Sequence, residues 1–421
     1  MQINQSETND ALRKFIFSLN NNYVHWEKFK DMQWPDGLSQ KDVWEMATNE
    51  REQGYTRELH FHNIQMKWWQ SNSLEAQLHQ LDISIAGGRK MQALTISKHV
   101  HRHRTTALLD ESISSAQLAG INVSKKAAKE MLLKKRPPQN TDEQICVNIY
   151  RTLQNALAKK EEEMNETLFL QLHQTLTKDT IKLKGIGHYR TNNKVDISSL
   201  DLSSGYKILP IEKASSLMSF VFNLYNNDKE PFFIHPLVKA AIIHYLIVFI
   251  RPFKDGNGRI ARILAFMYLL KKDYWVAEFF SISNIISKIK SQYHKAITIS
   301  QTDNQNIGYF IQFYIQSIQI AYKSLHDFVK RISRESSETV KTNIPGYNER
   351  QTAILKWIKD DPQKLVSIRE VRSVYGVSKE TARTDLNGLV AKGWIRYFNI
   401  NKKAYAFVKD EGFDSLMKEH G

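Results

Sequence analysis

The chain has 421 residues, 42% of them hydrophobic and 24% charged, with a formal net charge of +15. That length predicts two or three units with buried cores, and no apolar run is long enough to cross a membrane. A lone cysteine, Cys146, excludes an internal disulfide and an all-cysteine zinc site; with an N-terminus that lacks a signal-peptide layout, it fits the expectation of a reducing cytoplasm. The positive charge favours polyanionic partners such as nucleotides or nucleic acid.

Taken in chain order, residues 1–95 are polar and rich in tryptophan (Trp26, Trp34, Trp44, Trp68, Trp69), with helical stretches at Lys41–Gln53 and Leu74–Leu81. They predict a small helical cap whose tryptophans are core. His99, His101 and His103 stand at alternate positions, which do not share one helical face; this argues against a metal site there. Ser112–Ile121 reads as an amphipathic helix stopping at Gly120, and 124–139 as a solvated basic helix and loop ending in Pro137-Pro138. Asp142–Ala158, introduced by Thr141-Asp142-Glu143, and Asn165–Leu176 are apolar-periodic helices. Gly185–Ile197, GIGHYRTNNKVDI, places turn residues between two short β-like runs and predicts a hairpin.

His235–Leu270 carries the most chemistry. Leu237–Ile250 has the length of a buried helix, and Pro252 stops it. Phe253-Lys254-Asp255-Gly256-Asn257-Gly258 follows as a loop, and a second helix starts near Arg259. A glycine-bearing loop feeding a helix start presents unpaired N–H groups and the positive end of the helix dipole, which suits phosphate. Arg259 and Arg262, three apart, project from one face and can fork onto phosphate oxygens. Asp255 at the loop mouth is a candidate ligand for Mg2+ bridging those phosphates.

Phe253, Asp255, Gly256, Asn257, Gly258, Arg259 and Arg262 match in identity and spacing the signature HxFx(D/E)GNGRxxR, so the stretch resembles the Fic (AMP-transferase) family. The resemblance covers roughly 105–325 and implies a mainly α fold: a helical core with a β-hairpin flap. It also implies that ATP or AMP is the ligand, and that Gly187, Tyr189 and Arg190 belong to the flap, which adds a target segment as a strand. Many members carry an inhibitory helix, (S/T)xxxE(G/N), whose glutamate pairs with the second signature arginine. Ser115 and Gly120 align with that pattern, but Ala119 stands where the glutamate would be, so the helix is degenerate.

A second departure falls on the residue the chemistry needs most. The family's signature opens with a histidine that takes a proton from a target hydroxyl as AMP is transferred from ATP. Here Arg251 stands in its place. With a pKa above ~12, an arginine cannot be that base, and general-base help is worth roughly two to four decades in rate. By sequence, His188 and His244 are the only nearby imidazoles, and a core position is the better reading of His244.

Residues 328–347 are charged and polar and read as a linker, dividing a unit at 96–327 from one at 348–421. In the last unit three helices precede two alternating runs, Trp394–Phe398 and Ala404–Val408, which resembles a winged helix-turn-helix. Its third helix, opened by Ser378, would turn Lys379, Thr381, Arg383 and Asn387 toward a DNA groove, with Lys402 and Lys403 of the wing on phosphates. The whole predicts a cytoplasmic nucleotide-binding regulator with impaired AMP transfer and a DNA-binding tail, its protein target and homodimerisation left open. One alternative is an active adenylyltransferase acting on Ser, Thr or Tyr; the other is a DNA-binding or scaffold protein with no ligand.

Overall fold

A computed structural model describes residues 5–420 apart from 35–37, 55, 62–63, 87–97, 135, 182–184, 194–207, 229, 231, 342–343, 363 and 402–403. The chain divides into two compact units, one of 1–95 with 102–324 and the other of 96–101 with 325–421. It is mainly helical, and no described helix is long and apolar enough to cross a membrane.

The first unit opens with α1 (Gln5–Asn21), α2 (Trp26–Phe29) and α3 (Gln40–Gln53). Trp26, Trp34 and Trp44 pack round the buried Phe29. An antiparallel hairpin follows, β1 (Thr56–Phe61) with β2 (Ile64–Trp69), and then α4 (Asn72–Ile85). The all-helical cap read from the sequence therefore contains two strands. Their signal is a period of two: Met66 and Trp68 are buried while their neighbours are not. Lys67 also pairs with the loop at 305–307, anchoring the hairpin to the rest of the unit.

After α5 (Lys98–Leu118), α6 (Lys125–Lys134), α7 (Thr141–Ala158), α8 (Glu166–Thr177) and α9 (Ile211–Asn226) comes the centre of the fold. This is α10 (Pro236–Ile250), in which every residue from Leu237 to Ile250 is buried. His235 caps its start by accepting the Leu237 N–H, and Pro236 stands at the first helical position, where a missing N–H costs nothing. A six-residue loop (251–256) leads into α11 (Asn257–Lys271), which packs along α10 and is buried almost as fully. Next come α12 (Ile282–Lys288), α13 (Lys290–Thr302) and α14 (Gly308–Lys341). The last runs through most of the stretch read as a linker, because its Lys, Arg, Glu and Ser residues carry no helix-breaking signal before Pro345.

In the second unit, α15 (Glu349–Asp360) starts at a capping box between Asn348 and Gln351. α16 (Ile368–Tyr375) ends at Gly376 in the left-handed region, and α17 (Lys379–Ala391) is capped by Ser378. Strands β3 (Ile395–Asn401) and β4 (Ala404–Lys409) pair antiparallel, and α18 (Phe413–His420) closes the unit. Ile354, Leu386, Leu389, Trp394 and Phe407 form the core. Arg350 forks onto the buried Asp385 at 2.6 and 3.1 Å, tying α15 to α17.

Candidate functional site

The loop between α10 and α11 is shaped by its own residues. Arg251 ends α10 with φ +49° and donates its N–H to the Ile247 carbonyl, 3.0 Å away. Its side chain is buried. Asn257 closes the loop on itself: Oδ1 accepts the Phe253 N–H at 2.9 Å, and Nδ2 donates to the Phe253 carbonyl at 2.7 Å. Gly256 has φ +85°, a conformation that disfavours any side chain, and a Cβ there would meet His173 Nε2 at 3.3 Å. It caps α11 without a side-chain acceptor, so the first-turn N–H groups are left for an anion. Gly258 leaves room beside the Arg262 guanidinium, which a Cβ would approach at 3.4 Å.

The two arginines on α11 differ in how they are held. Arg259 is 3% exposed; its Nη2 donates to Asp255 Oδ2 at 2.7 Å, while its buried Nη1 has no partner among the described residues. Arg262 donates Nε to Ser115 Oγ and Nη2 to the Ser115 carbonyl, both at 3.0 Å. Burial lowers its pKa, and Tyr293 and Glu111 work against that. The α5 helix meets Arg262 one turn before Ala119, with the neutral oxygens of Ser115 in hydrogen-bond contact and the Glu111 carboxylate acting on it electrostatically. Gly120, at φ +81°, ends α5 by letting the Ile121 N–H return to the Ala116 carbonyl.

Asp255 is the candidate Mg2+ ligand. Its Oδ1 accepts the Gly256 N–H at 2.5 Å and its Oδ2 takes Arg259. Among the described residues no group of three or more His, Cys, Asp or Glu is placed to hold a metal. A single carboxylate at the mouth of a phosphate loop fits Mg2+ only in the mode where phosphate oxygens and water supply the remaining positions.

The flap segment packs on this loop. Over 185–193 it consists of turns and bends without a strand, and 194–197 lies outside the described residues. Gly187, at φ +66°, donates its N–H to His173 Nδ1 at 3.2 Å. Tyr189 packs on Phe253, with ring centroids 5.6 Å apart. Arg190 is buried: its N–H donates to the Pro252 carbonyl at 2.9 Å, its Nε to the Arg251 carbonyl at 2.8 Å, and its other nitrogens to Asn192, Asn193 and Leu209.

His173 on α8 escaped the sequence reading. It is fully buried, stacks on Phe253 at 3.5 Å, and its Nε2 meets the Asp255 carbonyl at 3.0 Å. Burial pushes its pKa down to about 4, partly opposed by Asp255. Its one signal was a polar ring among apolar residues in LFLQLHQTL. The two imidazoles considered from sequence differ. His244 is buried among Tyr293, Phe310 and Tyr314, with Nε2 3.0 Å from the Tyr293 hydroxyl; His188 is exposed.

In the second unit, Lys379 and Arg383 stand exposed on α17. Thr381 is half-buried, its N–H and hydroxyl turned back to Ser378 at the helix start, and Asn387 Oδ1 accepts from the Tyr397 hydroxyl at 3.0 Å. Lys402 and Lys403 lie outside the described residues.

Residues 163–269 match the Fic/DOC family, and residues 350–398 match the DeoR-like helix-turn-helix domain. A protein adenylyltransferase Fic of Nematostella vectensis is 32% identical over 92 residues, which are 22% of this chain and 20% of that protein. A probable protein adenylyltransferase of Aquifex aeolicus is 28% identical over 151 residues, 36% of this chain and 44% of that one. The chain therefore spans less than half the length of these curated relatives. A Fic family protein of Desulfovibrio desulfuricans G20 shares the fold, with TM-score 0.53 and 16% identity over 80% of this chain and 94% of that one.

Proposed function

We propose, from the premise that this chain carries a Fic/DOC domain and a DeoR-like helix-turn-helix domain, that it binds ATP or AMP at the loop 251–258 and transfers AMP poorly. What carries the reading is Arg251: a buried, permanent cation occupies the position of the signature histidine. Arg259 Nη1, buried and without a partner among the described residues, and the first-turn N–H groups of α11 are the donors offered to phosphate oxygens. Asp255 is the side chain that would hold Mg2+, which would supply charge neutralisation to the bound phosphates. Neither imidazole near the loop in sequence replaces the missing base within the loop, since His244 is committed to the aromatic core and His188 lies on the flap surface.

The winged helix is read as a DNA-binding element through Lys379 and Arg383, which makes the chain a cytoplasmic regulator whose ligand is a nucleotide. Homodimerisation is compatible with that role, and the elution volume of the full chain would test it. Calorimetric titration of the full chain with ATP and with AMP, each with Mg2+, tests the binding. Saturable binding that weakens about tenfold or more in Arg259→Ala supports it; no heat and no thermal shift with either nucleotide leaves the scaffold alternative.

A further inference from the structure

We infer that His173 is a positioning residue that couples the flap to the phosphate loop, so that the loop's fit to a nucleotide depends on both polar edges of this one ring. The inference rests on the nucleotide reading above and adds a residue outside the signature. Three contacts on two different segments carry it. Nδ1 accepts the Gly187 N–H from the flap at 3.2 Å, Nε2 meets the Asp255 carbonyl in the loop at 3.0 Å, and the ring lies 3.5 Å from Phe253 at an interplanar angle of 3°.

These contacts fix the protonation pattern. An imidazole that accepts at Nδ1 and faces a carbonyl at Nε2 carries its single proton on Nε2. The ring is therefore a donor to the loop and an acceptor to the flap at once, a combination no other side chain of that shape supplies.

On the loop side the backbone is built to admit the ring, and on the flap side to lie close against α8. Gly256 sits where a Cβ would approach Nε2 at 3.3 Å, and Gly187 where a Cβ would approach Gln174 Cβ at 3.2 Å. Both glycines have positive φ. The Asp255 carbonyl that His173 holds belongs to the residue whose carboxylate takes Arg259 and caps the Gly256 N–H. Displacing that carbonyl moves the carboxylate, the Arg259 guanidinium and the start of α11 together. A positional error near one ångström is enough to degrade a site of this kind.

The test compares the full chain with His173→Phe, which keeps the stack and loses both hydrogen bonds, and with His173→Gln and His173→Asn. Glutamine places an amide near Nε2 and can serve Asp255; asparagine places its oxygen near Nδ1 and can serve Gly187. ATP affinity is read by calorimetry, and exchange of the Gly187 amide is read with and without ATP. The expected result is an ATP Kd about tenfold weaker or more in His173→Phe, with a substantial part regained in His173→Gln. ATP-dependent protection of Gly187 is expected in the wild type and His173→Asn, and lost in His173→Phe. Should His173→Phe fail to fold, the two amide variants carry the comparison by themselves. Variants that are less stable but bind ATP as the wild type does overturn this inference and leave the nucleotide reading standing. A wild type that binds no ATP overturns both.

Discussion

Arg190 donates its Nε to the carbonyl of Arg251 at 2.8 Å and its own N–H to the carbonyl of Pro252 at 2.9 Å. The flap arginine therefore holds the backbone of the residue that stands at the signature-histidine position. These carbonyls sit just beyond the C-terminus of α10, where helix geometry leaves acceptors unfilled. Replacing Arg190 by Ala keeps the N–H to Pro252 but takes the donor from the buried Arg251 carbonyl and from the part-buried Asn192 and Leu209 carbonyls, and we expect a loss of about 1–3 kcal/mol. Arg190→Lys should recover little, since one ammonium cannot span acceptors that a planar fork reaches together. Urea midpoints of the three proteins check this.

Ser115 and Arg262 give a second stability prediction. Ser115→Ala removes the oxygen that accepts from Arg262 Nε and leaves the Nη2 contact to the backbone intact. A buried guanidinium donor left without a partner should cost about 1–3 kcal/mol. Thermal melts of the full chain would show it; an unchanged melting temperature would mean that another group takes the Nε proton.

Acid sensitivity follows from His173. Its pKa in the folded chain is about 4, against 6.5 for the free side chain, so between these values the unfolded chain binds the extra proton. Stability from this group is intact above pH ~6.5 and falls as pH drops toward ~4, by up to about 3 kcal/mol in total. His244, also pushed below the ordinary histidine range by burial, acts in the same direction. His173→Gln should flatten part of the slope of unfolding free energy against pH; an unaltered slope would mean the ring is already charged or solvated.

For the tail, Lys379 and Arg383 are exposed on α17. If they contact phosphates, alanine at either should weaken binding to mixed-sequence duplex DNA. Each substitution should also reduce the slope of log K against log salt by about one. Deleting residues 345–421 should abolish the gel shift, and a shift that survives the deletion places DNA contacts elsewhere.

What the sequence made legible lies close together along the chain. Phe253, Asp255, Gly256, Asn257 and Arg259 shape one another across at most six positions, so the turn and its glycines could be read from residue types alone, whereas the Asp255–Arg259 ion pair was not: the sequence reading sent those two side chains to Mg2+ and to phosphate. The partners that arrive from far away could not. Ser115 meets Arg262 from 147 positions off, and His173 meets Asp255 from 82, because these contacts are set by how helices pack and not by local pattern. The β1–β2 hairpin was missed because each strand is only six residues long and tryptophan-rich polar segments read equally well as helix. On α17 the cap at Ser378 was readable, but the Tyr397 contact that occupies the Asn387 oxygen needed the wing in place.

The central claim is that the loop holds a nucleotide and lacks a base because Arg251 fills the histidine position. Mass spectrometry of AMP transfer from ATP, comparing wild type with Arg251→His in the full chain, tests it most directly. Transfer that is slow or undetectable in the wild type and rises by roughly two to four decades in the variant is the predicted result. Fast transfer by the wild type, unimproved by histidine, would contradict the account.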